Sequence, residues 1–264
     1  MAQRNNFANM IKQVLSYSKV KTVSTDLLVN EKSLQKYQMA FTHKSVNCEQ
    51  NYEVYEFLGD ATINKAIVWY LKDRFPFLTN PIHVKMLTRL KINLICKKSF
   101  AYIADQLGFW KYIVASEVVR CREKLSLLED CLEAFIAVTE ILVDSIVPGE
   151  GYKFCFSIIS SLMDKIAISL DYNVLFDAKT RLKELFDQVK YNLGTFQYVT
   201  TRKDGFHTTK VVWKKQNVMI ELGSGREPLK MNSEMKAAEQ SLTILKNVYG
   251  IEKPIPKEFL ISNK

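Results

Sequence analysis

The chain has 264 residues, of which 47% are hydrophobic and 25% are charged. This length suits one large or two ordinary domains, and this composition argues against intrinsic disorder. The formal net charge of +9 favours anionic partners, with nucleic acid before a membrane surface. No apolar run of about eighteen residues occurs, so we expect neither a membrane span nor a membrane partner.

The cysteines and the N-terminus indicate a compartment. The five cysteines are odd in number and form no CxxC pair, which is typical of a reducing environment. The first fifteen residues, MAQRNNFANMIKQVL, contain no uninterrupted apolar stretch and no cleavage signal, so secretion is not expected. The sequence therefore predicts a cytoplasmic protein.

Up to about residue 170, apolar residues recur at spacings of three and four, which predicts successive helices. Proline and glycine at Pro76, Pro81 and Gly149 supply the breaks between them. The clearest predicted helices are Val54 to Leu71, Leu87 to Cys96, Phe100 to Leu107, Leu125 to Val143 and Tyr152 to Ser169.

After the connector DYNVLF the pattern changes. A helix from about Thr180 to Val189 precedes three runs typical of strands, and a last helix begins at Asn232 or Ser233, either a good N-cap. The strand-like runs are Gly194 to Lys203, Thr208 to Lys215 and Val218 to Ser224, with turns at residues 203–205 and 215–217. The order α-β-β-β-α indicates a small α+β domain.

Two acidic clusters lie in strongly apolar helical contexts. Glu53, Glu56 and Asp60 share one helix face, and Asp130 shares a face with Glu133. Like charges at these spacings destabilise an isolated helix by a few tenths of a kcal/mol per pair, about 0.2–0.5. The ordinary alternative is a solvated acidic surface, but the apolar flanks favour a site for a hard divalent cation such as Mg²⁺.

Other cofactors are not expected. No glycine-rich phosphate loop occurs, which argues against a nucleotide cofactor. His43, His83 and His207 are too far apart in sequence to suggest zinc.

Several motifs in order carry a resemblance to a known family. FTHKSVN and EVYEFLGDATINKAI, followed by LEDCLEAFIA, resemble a ribonuclease III domain. DAKTRLKELFDQ, GFHTTKVVW and SEMKAAEQSL resemble the parts of a double-stranded RNA-binding domain. The resemblance implies an all-α endonuclease domain at 1–172, an α+β RNA-binding domain at 177–250 and a C-terminal tail at 251–264.

The resemblance also implies the site. Glu56, Asp60, Asp130 and Glu133 would form a Mg²⁺ site, with Mn²⁺ as a substitute, and Asp60 and Glu133 would be the catalytic acids. Glu56 and Glu133 would bind the ion directly, while Asp60 and Asp130 would complete its coordination or orient water. Glu53 would be a supporting acid. The implied reaction is hydrolysis of double-stranded RNA to 5′-phosphate and 3′-hydroxyl ends.

For RNA binding, the resemblance implies a first helix in the minor groove, a loop in a second minor groove and a last helix on phosphates. The alternative for His207 is a histidine in a turn that binds no ligand. The alternative for Lys230 and Lys236 is an ordinary solvent-exposed surface. The residues implied are Thr180, Lys183, Glu184, His207, Lys230 and Lys236.

The family resemblance further implies a homodimer that cuts both strands and leaves short 3′ overhangs. Phe57, Val54 and Ile67 are interface candidates, with the domain's own core as the alternative.

A catalytically silent relative that sequesters double-stranded RNA or scaffolds a ribonucleoprotein is the alternative function. The divergence of the motifs fits a viral version, for which the compartment would be the host cytoplasm.

Two departures from the family pattern stand out. The family usually has Asn-Glu-Arg-Leu-Glu before Phe-Leu-Gly-Asp, whereas residues 52–56 here are Tyr-Glu-Val-Tyr-Glu. Residues 83–86, His-Val-Lys-Met, replace a Glu-Gly pair and a further acid, so an accessory acid is absent there.

Overall fold

The structure, a computed structural model, describes residues 2–215 and 218–260. The chain forms two compact units, Met1–Ile168 and Ser169–Lys264. Within the described ranges, no helix is long and apolar enough to cross a membrane.

The first unit is helical, as the 3.6-residue periodicity predicts. The predicted helices are present with different ends, and the one predicted to reach Ser169 ends at Met163. Three helices were not singled out from the sequence: Ala2–Leu15, Glu31–Ala40 and Glu117–Arg122. In chain order the helices are α1 (Ala2–Leu15), α2 (Glu31–Ala40), α3 (Glu53–Arg74), α4 (Val84–Leu94), α5 (Lys97–Gln106), α6 (Glu117–Arg122), α7 (Lys124–Ile146) and α8 (Gly151–Met163).

Helix α7 is the centre of this unit. Residues 131–139 are all buried, and α2, α3, α5 and α8 pack around them. A helix that is apolar on nearly every side has to be enclosed by its neighbours. Phe135 on α7 contacts the rings of Tyr37 and Phe109, with centroids 5.2 Å and 5.5 Å away. Asp130 and Glu133 therefore lie on a core helix.

The second unit has the predicted α-β-β-β-α order, preceded by a short helix, Tyr172–Leu175, within the predicted connector. Its sheet is antiparallel with strand order β1-β2-β3, and the fully buried Trp213 lies in the core between the sheet and the helices. Its elements are α9 (Tyr172–Leu175), α10 (Ala178–Phe186), β1 (Thr195–Lys203), β2 (Phe206–Lys215), β3 (Val218–Glu227) and α11 (Lys230–Tyr249).

The predicted turns have different outcomes. Asp204 and Gly205 join β1 to β2 with φ of 52° and 78°, which is the geometry that a two-residue hairpin requires. The predicted turn at residues 215–217 includes Gln216 and Asn217, which lie outside the described residues.

The predicted start of the last helix is wrong by two to three residues. Helix α11 begins at Lys230, because β3 continues to Glu227 and leaves only two residues of connection. Ser233 is buried rather than exposed at a cap. Its hydroxyl lies 2.7 Å from that of Thr209 on β2 and donates to the Lys230 carbonyl.

The C-terminal residues pack on the second unit. Phe259 is buried, and its ring contacts those of Tyr172 and Phe176 at centroid distances of 5.3 Å and 5.2 Å. The hydroxyl of Tyr191 donates to the carbonyl of Glu252 at 2.6 Å. Residues 251–260 are thus held against α9 and the segment after α10.

Candidate active site

Helices α3 and α7 are in close contact at Gly59. A Cβ atom on this buried glycine would lie 2.5 Å from the carbonyl carbon of Glu133, closer than any real Cβ contact. A side chain at position 59 would therefore force the two backbones apart. Glu56 lies one turn before Gly59 on the same face of α3, and the charges of Asp130 on Glu56 and of Asp60 on Glu133 show that the acids of the two helices are neighbours.

The acids of α3 and α7 form one cluster, which we call the acid cluster: Glu56, Asp60, Asp130 and Glu133. Burial, with the charges of Asp60 and Glu129, raises the pKa of Glu133 to about 8. Burial, with the charge of Asp130 and then that of Glu53, raises the pKa of Glu56 to about 7. The two helices thus concentrate carboxylates that disfavour one another's ionisation.

Two neighbouring side chains fix members of the acid cluster. The hydroxyl of Tyr52 donates to Oδ2 of Asp130 at 2.8 Å, and the side-chain amide of Asn64 donates to Oδ1 of Asp60 at 2.6 Å. Burial raises the pKa of Asp130, and the Tyr52 hydrogen bond partly opposes that rise. The Tyr52 hydrogen bond favours the ionised form of Asp130.

Two lysines flank the acid cluster, each paired with an acid outside it. Nζ of Lys44 lies 2.9 Å from Oε1 of Glu53, and Nζ of Lys97 lies 2.9 Å from Oε2 of Glu129. The Glu53 hydrogen bond raises the pKa of Lys44, to which Glu56 and Asp130 add, and that of Lys97 rises through its bond to Glu129. Both lysines thus lie in the electrostatic field of the acid cluster.

Sequence reasoning missed Tyr52, Lys44, Lys97 and Glu129 as members of this neighbourhood. Glu129 had a visible signal, because it directly precedes Asp130 in an apolar helix. Lys97 had no such signal in the sequence, because it starts a different helix and reaches Glu129 only through the packing of α5 on α7.

The acid cluster has the chemistry of a hard-cation site. Its donors are all carboxylate oxygens, which Mg²⁺ prefers, and burial together with neighbouring acids raises the pKa values of Glu56 and Glu133. Over the described parts of the chain, no three His, Cys, Asp or Glu side chains stand close enough together to hold an ion. The donor types fit a divalent cation, whereas the present side-chain positions do not enclose one.

In the second unit, the predicted RNA contacts on α10 share a short stretch of helix. Asp177 caps it, accepting hydrogen bonds from the backbone N–H and the hydroxyl of Thr180, each at 2.8 Å. Lys183 is exposed, whereas Glu184 is half-buried and accepts from Tyr172 at 3.0 Å and from Lys253 at 2.5 Å. The carboxylate of Glu184 is therefore hydrogen-bonded to Lys253 of the tail and is only partly exposed to solvent.

The other predicted RNA contacts lie on β2 and α11. His207 is the second residue of β2, directly after the hairpin turn. Lys230 is the first residue of α11 and lies 3.7 Å from Glu234, and Lys236 forms an ion pair with Glu227. Both lysines are exposed, and both already have an acidic partner.

One interface candidate is corrected by the structure. Ile67 is fully buried in the first unit, which leaves it no surface to offer a second subunit. Val54 and Phe57 on α3 are 68% and 78% exposed, far more than apolar side chains of a core helix.

Comparison with known proteins identifies the family. Residues 53–141 match the family model described as the ribonuclease III domain. A protein of Invertebrate iridescent virus 6, provisionally named ribonuclease 3, is 34% identical over 269 residues, covering 96% of this chain and 92% of its own. A second viral protein of that provisional name, from Frog virus 3, is 39% identical over 213 residues, covering 80% of this chain and 56% of the relative.

A solved structure gives a weaker likeness. The nuclease domain of ribonuclease III from Campylobacter jejuni is 28% identical and covers 62% of this chain and 97% of that domain, with a TM-score of 0.46. That score is too low to argue from. The full-length match to the iridescent virus protein, together with the domain match, carries the assignment. The chain belongs to the ribonuclease III family.

Proposed function

We propose that this chain is a Mg²⁺-dependent endonuclease that hydrolyses double-stranded RNA, leaving 5′-phosphate and 3′-hydroxyl ends. The observation that carries the proposal is that α3 and α7, in close contact at Gly59, bring four carboxylates into one neighbourhood, where burial and neighbouring charges raise the pKa of Glu133. In this proposal residues 1–172 are the endonuclease domain, 177–250 the RNA-binding domain and 251–264 a tail.

Each acid has a proposed role. Glu56 and Glu133 bind the ion directly, while Asp60 and Asp130 complete the ligand set or orient water, with Asp60 and Glu133 as the catalytic acids. When bound, a divalent cation lowers the pKa of water and stabilises negative charge at the phosphate, and Mn²⁺ supplies similar chemistry. Glu53, paired with Lys44, supports the site by keeping that lysine beside it.

Protons have to leave the acid cluster when an ion binds. Glu133, with a pKa of about 8, and Glu56, with a pKa of about 7, are partly protonated near neutral pH. Because only the ionised carboxylates bind the ion, metal affinity should rise with pH through this range. The side chains also have to rotate toward one another, since no three of the described ligating residues yet enclose an ion.

The second unit is the proposed duplex-binding element. From Asp177 onward, 16 Lys and Arg face 10 Asp and Glu, a net charge of +6, which suits binding to phosphates. Thr180, Lys183 and Glu184 on α10 are proposed minor-groove contacts, and His207 after the hairpin turn is proposed for a second minor groove. Lys230 and Lys236 are proposed phosphate contacts that exchange their acidic partners for RNA.

A homodimer would supply one acid cluster for each RNA strand, and staggered cuts would leave short 3′ overhangs. The exposed Val54 and Phe57 lie on the helix that carries Glu56 and are the proposed contact with the second copy. A Phe57→Glu variant should sediment as a monomer in analytical ultracentrifugation. A dimer that persists in this variant would remove Phe57 from the interface.

The direct test of function is incubation of the purified chain with long duplex RNA, with and without Mg²⁺. We expect cleavage only with the ion, and 5′-phosphate ends on the products. Glu133→Ala should abolish cutting while leaving duplex binding nearly unchanged. Binding without any Mg²⁺-dependent cleavage by the wild type would instead favour the silent RNA-sequestering alternative.

A further inference from the structure

Tyr52 contacts both helices that carry the acid cluster. Its backbone carbonyl accepts a hydrogen bond from the N–H of Glu56 at 2.8 Å, in the first turn of α3. Its side-chain hydroxyl donates to Asp130 of α7 at 2.8 Å. One residue therefore connects the start of one acidic helix to an acid of the other.

Tyr52 is itself held in place. The residue is only 2% exposed, and its backbone N–H donates to the carbonyl of Thr42 at 3.0 Å. The ring of His43 contacts the ring of Tyr52 edge-on, with centroids 5.6 Å apart. A buried phenol with fixed backbone and ring contacts has few alternative rotamers, so its hydroxyl occupies one position.

The segment beneath Tyr52 is anchored in turn. The N–H of His43 donates to the carbonyl of Val114 at 2.8 Å, and Nδ1 of His43 accepts from the N–H of Ser45 at 2.9 Å. The hydroxyl of Ser45 accepts from the N–H of Ser116 at 2.9 Å. The FTHKS motif thus forms a rigid support for Tyr52.

We propose that Tyr52 is a positioning residue for the metal site, fixing the Asp130 carboxylate relative to Glu56. The inference rests on the proposed function and adds a residue at which this chain departs from the usual family pattern. A ligand that is already oriented loses less conformational freedom when the ion binds, so removing the Tyr52 hydroxyl should weaken metal binding. Tyr52 itself touches neither substrate nor ion.

The test compares Tyr52, the residue before α3, with Tyr70 in α3, because their hydroxyls donate to different aspartates. Tyr70 is 5% exposed, and its hydroxyl donates to Asp164, which lies outside the acid cluster, at 3.0 Å. Tyr52→Phe and Tyr70→Phe each remove one buried hydroxyl that donates to an aspartate. Mg²⁺ and Mn²⁺ binding to the full chain without RNA is measured by calorimetry, and melting temperatures are recorded in parallel.

We expect Tyr52→Phe to raise the Kd for either ion about tenfold, the scale usual for partners of metal ligands, and Tyr70→Phe to leave it unchanged. In cleavage, Tyr52→Phe should raise the half-saturating Mg²⁺ concentration by the same factor, with little change at saturating ion. An equal Kd for both variants would overturn the inference, whatever their melting temperatures.

Two further outcomes are decisive. If the wild type binds Mg²⁺ but cuts no RNA, the proposed function fails, and calorimetry still decides the role of Tyr52. If the wild type binds neither ion, the inference is overturned as well. Should Tyr52→Phe not fold, His43→Leu, which removes the ring contacting Tyr52, should raise the Kd in the same direction; an unchanged Kd then refutes the inference.

Discussion

Replacing Glu133 with glutamine should stabilise the metal-free protein, although it removes a proposed catalytic acid. Glu133 is 7% exposed, and its pKa is about 8 against an ordinary value of 4.5. At about 1.36 kcal/mol per pH unit, this difference corresponds to an upper limit of ~5 kcal/mol. Glutamine keeps the shape of the side chain and cannot ionise.

The direction of the pH dependence follows from the numbers of protons that the folded and unfolded chains bind. Between pH 4.5 and about 8 the folded chain holds a proton on Glu133 that the unfolded chain releases. The free energy of unfolding of the wild type therefore falls as pH rises through this window, and the loss is complete above it. The variant has no ionisable group at position 133, so its free energy of unfolding lacks this pH-dependent contribution. The other titrating groups contribute similarly to both proteins.

The assay is differential scanning calorimetry with a chelator present, at several pH values from about 4 to 9. Below the window the two proteins should melt nearly together. At the upper end the variant should melt higher by roughly 10 °C, since about 1 kcal/mol shifts the melting temperature of a domain of this size by about 2–4 °C. Added Mg²⁺ should then stabilise the wild type and not the variant.

Parallel melting curves across this pH range would refute the reasoning. They would mean that Glu133 ionises in the folded chain as easily as in water, and therefore that the acid cluster is not a concentration of buried charge. Stabilisation of the variant by Mg²⁺ to the same extent as the wild type would remove Glu133 from the proposed ligand set.

Three further predictions concern packing and charge. Gly59→Ala should lower the free energy of unfolding of the first unit by more than about 3 kcal/mol, because the new Cβ atom meets the Glu133 backbone. The same variant should no longer bind Mg²⁺. An unchanged melting temperature would contradict this prediction. Phe259→Ala should destabilise the second unit by about 3 kcal/mol without changing the melting transition of the first unit. Hydrogen exchange measures the stability of each unit separately. Lys236→Met should reduce the slope of log Kd for duplex RNA against log salt by about one, while Lys12→Met, a lysine of the first unit paired with Asp26, should not. Equal slopes would exclude Lys236 as a phosphate contact.

Local patterns were sufficient for most of the fold. Apolar spacing of three and four predicted α3, α5 and α7, because a helix that packs against a core must present apolar residues at its own period. The change to strand-like runs after the connector predicted the three-stranded sheet, and the Asp204-Gly205 turn was visible as a dipeptide. The ordered motifs are sufficient to indicate the family.

The boundaries that depended on contacts between distant segments were not predictable. Ser233 has the residue type of an N-cap, yet it is buried against Thr209, and α11 begins at Lys230. Residues 251–260 carry no pattern that indicates packing, yet Phe259 is buried between two aromatic rings. In both cases a side chain separated in sequence from its partners decides the local structure.

For the candidate site, the sequence by itself determined which residues are acids, which of them share a helix face, and that apolar neighbours surround them. The tertiary structure alone decided that α3 and α7 cross at Gly59, that Tyr52 holds Asp130, and that Lys97 pairs with Glu129. Helical periodicity acts over a few residues, whereas these contacts join positions that are about thirty to eighty residues apart. The burial and the charge repulsion that raise the pKa values of Glu56 and Glu133 exist only once that packing has formed.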